Sequence, residues 1–257
     1  MTAAYLEAKN ITLDIPIFDV SRSFRKSLMM KYYVGGKISK NDSNATSMVN
    51  IRALENITFR LQSGDRLGLI GHNGSGKTSL LRVLAGVYRS FYGNLRYYGK
   101  ITTLFNPSIG VDADDTGLDN IFTIGMYLGM SKQEIENKKE EIIYFSGLGD
   151  FIHLPVRTYS CGMILRLSFS IATCLEPQIL LMDEGIGTGD MEFTEKAQVR
   201  LESFYNKLDI LVMASHSDDL IRRLCNKVLL LENGKIKAYG GVEEVLSIYH
   251  DHTANVS

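Results

Sequence analysis

The chain has 257 residues, 45% hydrophobic and 22% charged, which fits a globular protein of one large domain or two small ones. A formal net charge of -1 argues against nucleic-acid binding through bulk electrostatics, and the dispersed Cys161, Cys174 and Cys225 suggest neither a disulfide framework nor a zinc site. No apolar run approaches the roughly 18 residues of a membrane span and no basic-then-apolar leader opens the chain, so a reducing cytoplasm fits and any membrane role is expected through a partner.

Residues 4–15 alternate loosely between apolar and polar and predict an opening β segment. The stretch 21–40 then holds Arg22, Arg25, Lys26, Lys31, Lys37 and Lys40 with no acidic residue. Within it Phe24, Leu28 and Tyr32 fall at i, i+4 and i+8, one face of a short helix. Two accounts stand: a solvated loop with a packed stripe, or an amphipathic element facing anionic lipid or an anionic substrate. Residues 41–48 are polar and turn-forming.

The alternation over 54–61 predicts a half-buried strand, and Ser63-Gly64-Asp65 turns it into an apolar run at 67–70. That run feeds a loop of Gly71, His72, Asn73, Gly74, Ser75 and Gly76, followed by Lys77, Thr78 and Ser79 and by an apolar segment at 80–85 that reads as a helix. Glycines at this spacing let successive backbone N–H groups point inward at phosphate oxygens, and the helix dipole favours an anion at its start. Lys77 would reach the β and γ phosphates and the Thr78 hydroxyl would ligate Mg²⁺. A plain glycine-rich turn is the competing account, and the strand before and helix after weigh against it.

Residues 90–103 carry Gly93 and Gly99 between short apolar runs, consistent with hairpin pieces. Helices are predicted over 118–130 and 132–145, the second announced by a Ser131/Glu134 capping box. This helical insert continues through a helix at 164–175 and stops at Glu176-Pro177. A wholly apolar run at 179–182 is expected to be a central strand buried on both faces, ending in Asp183-Glu184. A helix (191–207), a strand (210–214), a helix (218–225) and a strand (228–231) follow, and Asn233-Gly234 turns into a last strand at 235–239. Strands alternating with helices imply an α/β fold with an open, mostly parallel sheet.

Asp183 at a strand end would hold Mg²⁺ through its water shell, and Glu184 beside it could polarise an attacking water. His216, after the next strand, could contact a γ-phosphate. Ser160, Cys161 and Gly162 stand at a helix start, where a hydroxyl and backbone N–H groups make an anion site or a plain N-cap.

Taken together these residues resemble the ATP-binding-cassette ATPases. Gly71 to Thr78 is similar to the Walker A loop, Ile179 to Asp183 to the Walker B strand, Glu184 to the catalytic glutamate and His216 to the switch histidine. Tyr159 to Met163 resembles the signature motif, Asp190 the D-loop residue and Asn106 the Q-loop residue, a further metal contact. The Tyr-Ser-Cys-Gly-Met signature and the Thr116-Gly117-Leu-Asp-Asn120-Ile121 segment look like those of polysaccharide-exporter ATPases, carriers of O-antigen, capsule or teichoic acid. The resemblance implies a P-loop fold with a RecA-like core, an antiparallel β subdomain and a helical subdomain at about 112–175. It implies a gate helix within the basic insert at 21–48, and adenine stacking on Phe24, Tyr32 or Tyr33.

It also implies ATP and Mg²⁺ as cofactors and a second copy of the chain supplying Ser160 and Gly162 in trans. Two transmembrane permease subunits would be partners at the cytoplasmic face of the inner membrane, an undecaprenyl-linked glycan the cargo, and nucleic acid no partner. Rivals are a soluble cassette ATPase of translation or DNA repair, an importer or drug or lipid exporter ATPase, and a P-loop kinase or GTPase, which would give Tyr159 to Met163 no function.

Overall fold

A computed structural model describes residues 3–17, 37–40, 49–104, 110–183 and 191–254. The chain divides into two compact units, Met1–Gly99 with Ile210–Ser257, and Lys100–Asp209. Among the described residues no helix is long and apolar enough to cross a membrane.

The first unit opens with β1 (Tyr5–Ile17), β2 (Lys37–Lys40) and β3 (Val49–Gln62). With β5 (Tyr92–Tyr98) they form an antiparallel sheet in the order β2-β3-β1-β5. Leu6, Ala8, Ile11 and Leu13 are buried, and their alternation skips a step between Ala8 and Ile11. The cause is a bulge: the register with β3 shifts there and Asn10 takes a positive φ of 54°. Its backbone N–H, left out of the ladder, donates to the Thr58 hydroxyl at 2.8 Å. This is why the sequence alternates only loosely.

The same unit holds β4 (Arg66–Ile70) between two parallel neighbours, β8 (Ile210–Ala214) and β9 (Lys227–Glu232). Leu67 and Leu69 of β4 and all five residues of β8 are buried, as strands covered on both faces require. The turn after β9 uses Asn233 at φ 50° and Gly234 at φ 76°, and returns as antiparallel β10 (Lys235–Gly240). Two positive-φ residues in a two-residue loop match the right-handed twist of the strands they join. Three helices belong here: α1 (Lys77–Leu84), α6 (Asp218–Leu224) and α7 (Val242–Ala254). Helix α7, which the sequence reading left without structure, packs on β9 and β10 through Val245 and Leu246. The glycine pair at 240–241 and the polar stretch of Glu243, Glu244 and His250 mask its short apolar face.

The second unit pairs β6 (Ile101–Leu104) with β7 (Ile179–Asp183) in parallel. The expected hairpin over 90–103 is therefore corrected: β5 ladders antiparallel to β1 and β6 ladders parallel to β7, so the two runs are not partners. The physical difference lies in composition, since β5 is exposed at six of seven positions whereas β6 buries Thr102 and Leu104.

Helices α2 (Gly117–Tyr127), α3 (Lys132–Ser146), α4 (Cys161–Ala172) and α5 (Met191–Asn206) complete the unit. The Ser131/Glu134 box closes as the sequence indicates, and a second box, Thr116 with Asp119, starts α2. Helix α4 starts three residues earlier than the apolar pattern suggests, because its cap is Ser160. Phe145 of α3 stacks on Phe169 of α4 with centroids 6.0 Å apart, and Ala197 and Leu201 of α5 close the cluster. The Arg200 guanidinium lies 4.2 Å from the Phe145 ring centre, donates to the Thr173 hydroxyl at 2.7 Å and pairs with Glu141 at 2.9 Å.

Candidate functional site

The loop between β4 and α1 is shaped first by its backbone. The N–H of Ser75 donates to the His72 carbonyl at 3.1 Å, and the Ser75 carbonyl accepts from the Gly234 N–H at 3.0 Å. The Gly234 carbonyl in turn accepts from Glu55 N–H at 2.8 Å, so the β9–β10 turn and strand β3 form its back wall. Gly71, Gly74 and Gly76 all have positive φ, at 140°, 78° and 113°. At Gly71 a Cβ would fall well inside contact distance of the Leu231 carbonyl, and at Gly76 it would meet the Ala53 carbonyl at 3.0 Å. Glycine is required at both by conformation and by space.

Helix α1 begins at Gly76 with no side chain capping it. Its first-turn amides therefore face outward with the positive end of the helix dipole. Lys77 is buried and its ammonium donates to the Gly71 and His72 carbonyls at 2.7 and 3.1 Å, which places a cation on the loop itself. Among the described residues the buried Ser75 hydroxyl has no hydrogen-bond partner, and Thr78 and Ser79 are half-buried at the helix start. His72, Asn73 and Gly74 are exposed at the loop tip, where the His72 Nδ1 lies 2.7 Å from the Asn73 carbonyl. Open amides, an ammonium and hydroxyls are a donor set for a polyphosphate, with Thr78 available to a hard cation.

Because β8 runs parallel to β4, its C-terminal end emerges at the same edge of the sheet. The Ser215 N–H donates to the Leu69 carbonyl at 3.3 Å, and the next residue, His216, is exposed. The Ser215 hydroxyl accepts from Ser217 N–H at 3.0 Å, and the Ser217 hydroxyl caps α6 through Leu220 N–H at 3.3 Å. Residues 71–79 and His216 are thus brought to one edge, outside the carboxyl ends of parallel strands, where α/β sheets bind ligands.

Within the second unit Asp183 ends β7 half-buried, behind four fully buried apolar residues. Ser160 caps α4, its hydroxyl accepting from the Met163 N–H at 3.2 Å, and Cys161 and Gly162 form the first turn with Cys161 exposed. Ser160 is thus the N-cap of α4, and among the described residues the N–H groups ahead of Met163 have no acceptor. Phe24, Tyr32, Tyr33, Asn106, Glu184 and Asp190, and the basic insert apart from β2, lie outside the described residues.

The sequence reading missed what braces these turns. Asn120 is fully buried; its amide NH₂ donates to the Asp112 and Thr116 carbonyls at 2.8 and 2.9 Å, and its oxygen accepts from Asp112 N–H at 2.8 Å. Asn233-Gly234, read only as a hairpin turn, also backs the phosphate loop. The available signal was the polar Asn120 within the apolar face of a helix.

Comparison with known proteins agrees with this geometry. Residues 54–187 match the family described as ABC transporter. The chain is 42% identical to the O-antigen export system ATP-binding protein RfbE of Yersinia enterocolitica, over 89% of this chain and 94% of that one. It is 35% identical to the O-antigen export system ATP-binding protein RfbB of Myxococcus xanthus over 91% of its own length, and spans 54% of that longer relative. A dimeric ATP-binding cassette solved in a post-hydrolysis state with ADP and Pi superposes with a TM-score of 0.61 over 92% of this chain and 98% of that one, at 18% identity, which shows the shared fold. Uncapped phosphate loop, parallel core, antiparallel sheet and helical segment are thus parts of one P-loop architecture, and the chain belongs to the ABC transporter family as an ATPase.

Proposed function

We propose that this chain is the ATP-hydrolysing subunit of an exporter that carries a lipid-linked polysaccharide, of the O-antigen class, across the inner membrane. The observation that carries the reading is the 42% identity to an O-antigen export ATP-binding protein along nearly the whole of both chains. The whole chain is one nucleotide-binding domain, with a helical subdomain at about 112–175 and a gate helix in the insert at 21–48. Residues 71–79 cradle the phosphates of ATP, and Phe24 or Tyr33 stacks on its adenine. Mg²⁺ is held by Thr78 and Asp183 with Asn106 as a further contact.

Glu184 polarises the attacking water, His216 meets the γ-phosphate, and a second copy of the chain lends Ser160, Cys161 and Gly162 to complete the pocket, with Asp190 at the D-loop position. Catalysis then rests on positioning and charge stabilisation. Two permease subunits hold the pair at the cytoplasmic face of the membrane and pass an undecaprenyl-linked glycan.

Three experiments test this. Glu184→Gln is expected to abolish turnover and leave a stable ATP-bound pair; hydrolysis near wild type overturns the assignment of Glu184. Burial pushes the Cys174 thiol up to about 11 and the Cys225 thiol up to about 12, whereas Cys161 is exposed, so a maleimide at neutral pH should mark Cys161. Mg-ATP should shield Cys161 in the Glu184→Gln protein, and labelling indifferent to Mg-ATP overturns the arrangement in trans. In cells, Lys77→Ala is expected to trap an undecaprenyl-linked glycan on the cytoplasmic leaflet, and no accumulation would defeat export while sparing the ATPase.

A further inference from the structure

Two segments that the sequence offers as separate marks, Thr116 to Asn120 and Tyr159 to Gly162, meet in the second unit. The Tyr159 hydroxyl donates to the Phe151 carbonyl at 2.6 Å, and its ring is buried. The phenol oxygen occupies the space a side chain at residue 117 would need: a Cβ on Gly117 would fall well inside contact distance of it. Gly117 does not have a positive φ, so close approach is what calls for glycine there.

A short ladder continues the contact. The Gly117 N–H donates to the Leu154 carbonyl at 3.2 Å, Val156 N–H to the Asp115 carbonyl at 2.9 Å and Arg157 N–H to the Ala113 carbonyl at 2.8 Å. Arg157 also pairs with Asp114 at 2.6 Å. Asn120 holds the 112–116 side of this ladder from within. The chain passes from the ladder through Tyr159 directly into the cap of α4. Burial raises the phenol above the usual tyrosine range while the Gly117 amide pulls the other way, so the O–H stays protonated and able to donate.

We infer that Tyr159, seated over Gly117, is a positioning residue for ATP hydrolysis: it fixes the turn Ser160–Gly162 that one copy presents to the nucleotide of the other. The two sequence marks are then one device, a socket and its key. Tyr159 touches no phosphate; it acts by setting where the Ser160 cap and the open amides of α4 stand. This rests on the reading of Ser160 and Gly162 as the turn lent in trans.

The test is a mutant cycle on the full chain, measured as ATP hydrolysis with its permease subunits co-purified, beside fluorescent-nucleotide binding to the isolated chain. Tyr159→Phe keeps the ring and removes one hydrogen bond, so kcat is expected to fall about fivefold with KM for ATP within about twofold. Gly117→Ala drives a methyl against the phenol oxygen, and kcat is expected to fall by up to about a hundredfold, the cost of an ångström-scale misplacement. In the Tyr159→Phe background the obstructing oxygen is gone and the nearest atoms, on Ile152, lie at 3.0 and 3.1 Å. There the same alanine should cost less than about threefold.

Equal cost of Gly117→Ala in the two backgrounds overturns the inference, and so does wild-type kcat in Tyr159→Phe or a raised KM with kcat unchanged. If Gly117→Ala does not fold, the Tyr159→Phe arm decides alone. Ser160→Ala separates the two levels: if it abolishes hydrolysis while Tyr159→Phe does not slow it, only the positioning claim fails. Ser160→Ala without effect removes the reading in trans itself.

Discussion

The helix start at Gly76-Lys77 and the helix start at Ser160-Cys161 are built on opposite plans. At the first no side chain caps the helix, three glycines sit at positive φ, and strand β3 and the β9–β10 turn press against the loop from behind. At the second a serine caps the helix, no residue of the turn has positive φ, and among the described residues a Cβ on Gly162 would find only the Ser160 hydroxyl, at 3.8 Å. The phosphate loop carries its own shape in its backbone. The serine turn takes its shape from neighbours, chiefly Tyr159 and the loop that Asn120 holds. A glycine that structure requires and a glycine that structure merely tolerates should therefore answer differently to the same change.

The largest effect should come from Gly71→Ala. The methyl would collide with the Leu231 carbonyl, and the backbone at φ 140° disfavours any side chain. A loss of about 3 kcal/mol or more in stability is expected, with nucleotide binding lost along with it. Thermal unfolding with and without ATP measures both. A variant that folds normally and binds normally would break the account of the loop as a preset backbone cradle.

Asn120→Ala should come next, because the serine turn depends on its neighbours. Removing the buried amide strands the Asp112 N–H and carbonyl, while the Thr116 carbonyl keeps the backbone N–H of residue 120 at 2.9 Å. About 2–4 kcal/mol should be lost, read from the shift in urea midpoint at constant slope. Hydrolysis should suffer beyond the loss of folded protein, which separates bracing of the turn from general stability.

Gly162→Ala sharpens the contrast from the other side. Alanine is favoured over glycine inside a helix by up to about 1 kcal/mol, and here it has room, so the variant should be as stable as the parent or slightly more so. If the Gly162 amide serves the nucleotide of a second copy, hydrolysis should fall roughly tenfold or more while binding of ATP to the isolated chain is unchanged. Unchanged kcat would show that the turn is only a cap.

The same contrast explains what the sequence disclosed. The phosphate loop was legible because its chemistry is local: glycine spacing, Lys77 and Thr78 lie within eight residues, and the flanking strand and helix have their own periodicities. Strands β4, β7, β8 and β9 were legible for a related reason, since burial on both faces leaves unbroken apolar runs. The bulge at Asn10 blurred β1, because one residue outside the ladder shifts the alternation. The pairing of β5 with β1 and of β6 with β7 was not legible, since adjacency in the chain suggests a hairpin and only tertiary pairing decides otherwise. Tyr159 over Gly117 was illegible for the same reason: forty-two positions separate the pair, and nothing local in either segment announces the other.

The smallest effect concerns the wall behind the phosphate loop. Asp14 of β1 accepts two hydrogen bonds from the Arg52 guanidinium, at 2.8 and 3.0 Å, across register partners of the antiparallel sheet. Arg52 adjoins Ala53, whose carbonyl faces Gly76 and Gly234. The Arg52 hydrogen bond holds the Asp14 carboxyl below its usual range, against an opposing push from burial. A depressed folded value means that the pair stabilises the fold above about pH 4, the unfolded value, and that this contribution is lost as pH falls through the folded one. With both side chains partly open to solvent, at 37% and 24%, the pair should contribute no more than about 0.5–1 kcal/mol. Asp14→Asn should therefore lower the melting temperature modestly at pH 7, and the gap from the parent should close as the pH is taken below about 4. ATP affinity should move by less than about twofold, because the Ala53 carbonyl is also fixed by its own strand. A pH-independent gap would mean that Asp14 acts through packing rather than charge, and a large loss of affinity would mean that the phosphate loop leans on this sheet more than its own glycines suggest.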